Sequence, residues 1–168
     1  MRFFLFLLFI LYPLNSFANQ IETLIWVDTI KSHMISAITP STKRIEITSN
    51  GGDMITAIEV AIMVYQNDIE VVAKDHCSSA CSIIWMASKN RKITKNGYIL
   101  FHSTKFGNHD NEEEILYSKT INRAMEGYWR LFGLPESIII NMTHNPQIDM
   151  IVQSWQLQTA GISAEIIP

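Results

Sequence analysis

Two cysteines, two serines and an alanine fall together in Cys77-Ser78-Ser79-Ala80-Cys81. An apolar, β-branched stretch, Ile69-Glu70-Val71-Val72-Ala73, precedes them and reads as a buried strand. Ala80, Ile83, Ile84 and Ala87 then recur at helical spacing on one face. The serines therefore lie where a strand turns into a helix. A hydroxyl there sits beside backbone N–H groups that have no intrahelical partner, at the end of the helix dipole that favours negative charge. That place suits a nucleophile that must become an alkoxide. It equally suits a serine that does nothing but cap the helix. On this stretch alone capping is the simpler reading.

Two further sites resemble this one in position. Ser49-Asn50-Gly51-Gly52-Asp53 follows the alternating strand Lys43–Thr48 and precedes the apolar segment Met54–Tyr65, in which Glu59 is the one charge. Paired glycines there permit unusual backbone angles and a close approach of main chain, and can present an N–H to an anion. His102 ends the strand Tyr98-Ile99-Leu100-Phe101. In open α/β sheets, ligand sites lie beyond the carboxyl ends of strands. Gly51-Gly52, Ser79 and His102 all occupy such ends, so their convergence favours catalysis over three unrelated turns.

The elements that must carry these residues form a repeated βα order, which implies an α/β fold with a mostly parallel sheet and flanking helices. Ile21–Val27 opens as a strand, and Asp28–Ala37 reads as a helix with Ile30, His33, Met34 and Ala37 on its packed face. Met54–Tyr65 reads as a helix buried on most sides. Lys89 to Lys92 supply cations suited to a helix C-terminus. Glu112-Glu113-Glu114 begins a long helix with acids at its positive end, and Tyr117, Ile121, Ala124, Met125, Tyr128, Leu131 and Phe132 form its apolar stripe. A second helix over Ser137–Thr143, an extended piece over Ile148–Val152 and a last helix from Ser154 to Gly161 complete the chain. Its 168 residues suit one domain with a substantial core.

The start of the chain reads differently. Met1-Arg2 is basic, Phe3 to Leu14 is apolar apart from Pro13, and Ser16-Phe17-Ala18 places small residues before a cleavage point. These are the parts of a secretory signal peptide over residues 1–18, leaving a single domain over 19–168. The apolar run is too short to span a bilayer comfortably, and no second run of membrane length follows. The expected compartment is beyond the inner membrane, the periplasm. Loss of residues 1–18 removes Arg2 and no acid, so the formal net charge passes from −3 to −4. Basic residues are scattered, which argues against a nucleic-acid partner. In an oxidising compartment Cys77 and Cys81 can form a disulfide that clamps the Ser79 turn. Two reduced cysteines serving as small apolar filler fit the spacing as well. Zinc on Cys77, Cys81 and His76 lacks a clear fourth ligand, so no metal and no cofactor is expected.

Gly51-Gly52, Cys77-Ser78-Ser79-Ala80-Cys81 and Phe101-His102, in that order, resemble the Clp protease proteolytic subunit (ClpP) and its crotonase-like relatives, and among these the exported bacterial Clp-like proteins. The resemblance covers essentially the whole chain after the leader. It implies the crotonase-like spiral of repeated ββα and βα units. It implies Ser79 as nucleophile, His102 as general base and Asp149 as the third member of a triad. Backbone N–H groups of Gly52 and Ala80 would form the oxyanion hole. The implied activity is serine endopeptidase hydrolysis of a peptide or protein substrate by a homo-oligomer. No Gly-x4-Gly-Lys phosphate loop is present, which fits work without ATP. Asn50 stands where the family has proline. Two other readings stay open. One is a catalytically inactive binding or assembly protein on the same scaffold. The other is a Ser-Lys peptidase drawing its base from Lys74, Lys89, Lys92, Lys95 or Lys105.

Overall fold

The computed structural model describes residues 22–103 and 112–168. The expected leader, residues 1–18, lies outside these residues, as do Lys105, His109 and the rest of the polar loop before the long helix.

Five parallel strands form the main sheet in the order β1-β2-β3-β4-β7. They are β1 (Glu22–Val27), β2 (Thr42–Ser49), β3 (Glu70–Ser78), β4 (Arg91–Thr94) and β7 (Glu165–Ile167). Two more, β5 (Tyr98–Phe101) and β6 (Met150–Gln153), branch from the far half of β3. Helices α1 (His33–Ala37), α2 (Met54–Gln66) and α3 (Ala80–Ala87) follow β1, β2 and β3 in turn, and α4 (Glu112–Leu131) and α5 (Glu136–His144) come after β5. This is the α/β arrangement the βα repetition predicts.

The strand β3 organises the site. It is longer than Ile69–Ala73, the span its apolar residues mark. Val71–Ala73 pair with β4, and His76–Ser78 pair with β5. Lys74 and Asp75 are exposed between the two halves, where the strand leaves one set of neighbours for another. A polar interruption in the sequence thus marks a change of partner rather than the end of the strand. Ile45, Ile47, Val71 and Ala73 are fully buried under α2 and α3.

Other elements differ from expectation for identifiable reasons. Arg91 and Lys92 do not end a helix. They begin β4, where Lys92 bridges Glu70 and Glu165 at 3.0 Å each across the sheet. The first helix starts at His33 rather than Asp28, because Ile30 is held in a parallel bridge to Gly52. His33 itself is exposed, and Met34 takes the core position. Helix α2 is not buried all round. It packs Ala57, Val60, Ala61 and Val64 inward and exposes Ile55, Ile62 and Tyr65. Helix α3 is the one whose eight residues are all buried. The stripe of α4 runs through Met125 and Trp129, while Tyr117, Ala124 and Leu131 face out. The segment after Ser154 forms one 3-10 turn, Ser154–Gln156, and then β7.

Candidate active site

Ser79 occupies the N-cap position of α3 with φ +56° and ψ −124°, a left-handed conformation that a residue with a Cβ adopts only under constraint. Its neighbours supply the constraint. Ser79 N–H donates to Leu100 O at 3.0 Å, which ties the turn to β5. Its carbonyl accepts from Ser82 N–H at 2.9 Å and Ser82 Oγ at 2.6 Å, which ties it to α3. Cys77 at the end of β3 is joined to Cys81 in the first turn of α3 by a disulfide, with Cα atoms 5.1 Å apart. The bond spans the serine. With both sulfurs bonded, neither cysteine is a thiolate ligand for a metal.

The side chain of Ser79 makes no capping hydrogen bond. This separates the two readings of the serine pair. Ser78 is buried in β3 opposite Leu100, while Ser79 is half-buried and lines a cavity. A serine at a helix start that leaves the helix N–H groups alone is not there as a cap.

The glycine turn reaches the same place. Ser49 Oγ accepts from Gly51 N–H at 3.1 Å. Gly51 has φ +105°, and a Cβ built on it would lie 2.7 Å from Ser79 Cβ and 2.9 Å from Ser78 O. Its lack of a side chain is what lets the two turns touch. Gly52 has φ +144° and packs so closely that a Cβ would lie 2.5 Å from Ile30 O. Ile30 takes its bonds from the flanking residues: Ile30 N–H donates to Gly51 O at 2.8 Å and Asp53 N–H donates to Ile30 O at 3.1 Å. Gly52 N–H and Ala80 N–H bond to no described residue. Both residues line the cavity that Ser79 faces. Two spare donors around one hydroxyl have the makings of an oxyanion hole.

His102 follows the last residue of β5 and lines the same cavity. Its Nδ1–H donates to Ser103 O at 2.6 Å. Ser103 is itself anchored by donation from its Oγ to Met142 O at 2.8 Å. A donor at Nδ1 leaves Nε2 as the lone pair that can take a proton. No hydrogen bond joins His102 to Ser79 among the described residues. Hydrogen bonds of this kind are often long before substrate binds.

Asp149 is exposed and stands one residue before β6. The β5–β6 register ends at Phe101 opposite Met150. One step further would set Asp149 beside His102. Asp149 does not line the cavity. The atom that holds Nδ1 is the Ser103 carbonyl, which no sequence pattern marked. Of the four cavity-lining residues of α4, the sequence marked Met125 and did not mark Asn122, Glu126 and Trp129. Their spacing with Met125 (i, i+3, i+4, i+7) was the available signal. Of the lysines considered as bases, Lys74, Lys89, Lys92 and Lys95 do not line the cavity, and Lys105 is not described. His76 stacks on Tyr98 and pairs with Asp75 at 3.1 Å, apart from the cavity. Among the described residues no three or more His, Cys, Asp or Glu gather as metal ligands, and no helix is long and apolar enough to cross a membrane.

No protein-family model and no curated protein sequence matches the chain. Among solved structures, a ClpP1 variant from Listeria monocytogenes is similar at a TM-score of 0.67 and 18% identity, covering 89% of this chain and 92% of that one. The chain therefore has a ClpP-like fold, with a mostly parallel sheet flanked by helices.

Proposed function

We propose that this protein is an exported serine peptidase that cleaves peptide bonds without ATP. The observation that carries this reading is Ser79. Its hydroxyl is unused by the helix it starts, in a strained conformation, facing a cavity with His102 and two spare backbone donors. A structural serine has no need of that strain.

In the proposed reaction His102 Nε2 takes the proton of Ser79 Oγ as the oxygen attacks the scissile carbonyl. The N–H groups of Gly52 and Ala80 hold the oxyanion. The imidazolium then protonates the leaving amine, and water repeats the sequence on the acyl-enzyme. Asp149 is the proposed acid that stabilises the imidazolium, acting beside the Ser103 carbonyl that orients the ring. Export is proposed from the basic-apolar-small pattern of residues 1–18 and accords with a formed disulfide. Assembly into a homo-oligomer is proposed from the ClpP-like fold and from apolar side chains left exposed on β1 and α2.

A fluorophosphonate probe should label the purified protein at Ser79, and Ser79→Ala should abolish labelling. Asp149→Asn should lower turnover by ~10⁴-fold if the carboxylate serves the imidazolium as in a full triad. Absence of labelling in a folded protein would favour the non-catalytic reading, and an unchanged rate in the asparagine variant would leave Ser103 alone in the orienting role.

A further inference from the structure

The cavity beside Ser79 has a chemical asymmetry that the catalytic residues do not use. Its volume is about 230 Å³. An apolar cavity of ~150 Å³ accepts a benzene-sized group, so this one holds a single long side chain. Met54, Ile83, Met125, Trp129 and Met142 supply apolar walls. Beyond Ser79, His102 and Ser103, the polar lining consists of Asn122, Glu126 and Thr143. Among the described residues lining the cavity, Glu126 is the one carboxylate and none is a lysine or arginine.

Glu126 is only partly satisfied by its own protein. Arg130 Nη1 donates to its Oε2 at 3.2 Å. The guanidinium fork, however, is committed elsewhere: Arg130 Nε and Nη2 donate to the two oxygens of Glu136 at 3.0 and 2.8 Å. That pairing also holds the Glu136 carboxyl below the usual carboxylate range. The cluster of Glu126, Arg130 and Glu136 thus keeps one net negative charge. Thr143 Oγ1 lies 3.1 Å from Glu126 Oε1 and 3.0 Å from Ile139 O, and its one proton can serve only one of them. A carboxylate with spare acceptor capacity, in a pocket with methionine and tryptophan walls, complements an aliphatic stem that ends in a cation.

We propose that this pocket receives the side chain of the residue whose carbonyl Ser79 attacks, and that it selects lysine or arginine there through Glu126. The inference rests on the peptidase reading above. Met125 and Trp129 hold the methylene stem, and Glu126 accepts from the ammonium or guanidinium. A glutamate side chain is repelled, and a leucine fills the walls without pairing the carboxylate.

The test uses three fluorogenic peptides that differ only in lysine, leucine or glutamate before the scissile bond, with fluorophosphonate labelling run in parallel. The ratio of kcat/KM for lysine over leucine should exceed about ten, the scale of one charged hydrogen bond. Glu126→Gln should lower that ratio by roughly tenfold to a hundredfold. Glu126→Lys should turn the preference toward the glutamate peptide. A labelled enzyme whose lysine-to-leucine ratio is one or less, or whose ratio does not respond to Glu126→Gln, overturns the pocket assignment and leaves the peptidase reading standing. A folded protein that is not labelled and cleaves none of the peptides overturns both.

Discussion

Gly51 shows how much of the site depends on one missing carbon. Its α-carbon abuts the Ser79 turn, and an added Cβ would come within 2.7 Å of Ser79 Cβ, closer than non-bonded carbons settle. The left-handed φ adds strain to any side chain. Gly51→Ala should therefore remove fluorophosphonate labelling and lower the thermal midpoint in the same variant. A variant that labels at the wild-type rate would show that the two turns have room to separate. Glycine before a helix was legible as a turn. Which atom it had to avoid was not, because Ser79 lies 28 positions further along the chain. The Ser103 carbonyl escaped for a related reason: every residue has a carbonyl, so no residue type signals its use.

The elements that hold Ser79 make two predictions. Helix α2 begins beside the glycine turn, and Asp53 caps it by accepting from Thr56 N–H at 2.7 Å. Hydrogen bonds from the Thr56 side chain and backbone hold the Asp53 carboxyl below its ordinary value of 3.8. A carboxyl lowered in the folded state contributes stability that is complete above the unfolded value and is lost as pH falls through the folded one. Asp53→Ala should cost about 1 kcal/mol at neutral pH, the usual worth of such a cap. The gap from the native protein should narrow below pH 3.8, as paired urea titrations would record. A gap constant with pH would mean that the cap acts without its charge. The Cys77–Cys81 disulfide closes a very short loop, so replacing both cysteines with serine should lower stability by only about 2 kcal/mol. Its larger consequence should be local. The double variant should lose probe reactivity well below its unfolding midpoint, whereas a purely global contribution would lose both together.

At the scale of the whole molecule, the exposed apolar side chains include two on the edge strand β1 and three on α2. Ile25 and Val27 of β1 are 70% and 71% exposed, and Ile55 of α2 is 58% exposed. Isolated apolar residues on a surface are ordinary. Paired on an edge strand, they are a liability unless covered. Light scattering should give a mass of several chains, and Val27→Glu should shift it toward one. A wild-type monomer would remove the oligomer from the proposal. Much of the architecture was readable beforehand. Periodicity located α3 and α4 closely, since a buried helical face requires that spacing whatever it packs on. Strand β4 was misread because Arg91 and Lys92 are polar. Their charges are paired across the sheet and with backbone carbonyls, a solution that exists only once the partners are in place. Local chemistry was thus enough to determine that a serine, a glycine pair and a histidine occupy strand ends, because turns and strand ends are set by neighbouring residues. The tertiary structure alone decided that the serine's hydroxyl is not a cap, that a backbone carbonyl holds the imidazole, and that a glutamate from α4 faces the same cavity. Each of these is a relation between atoms that only folding brings together.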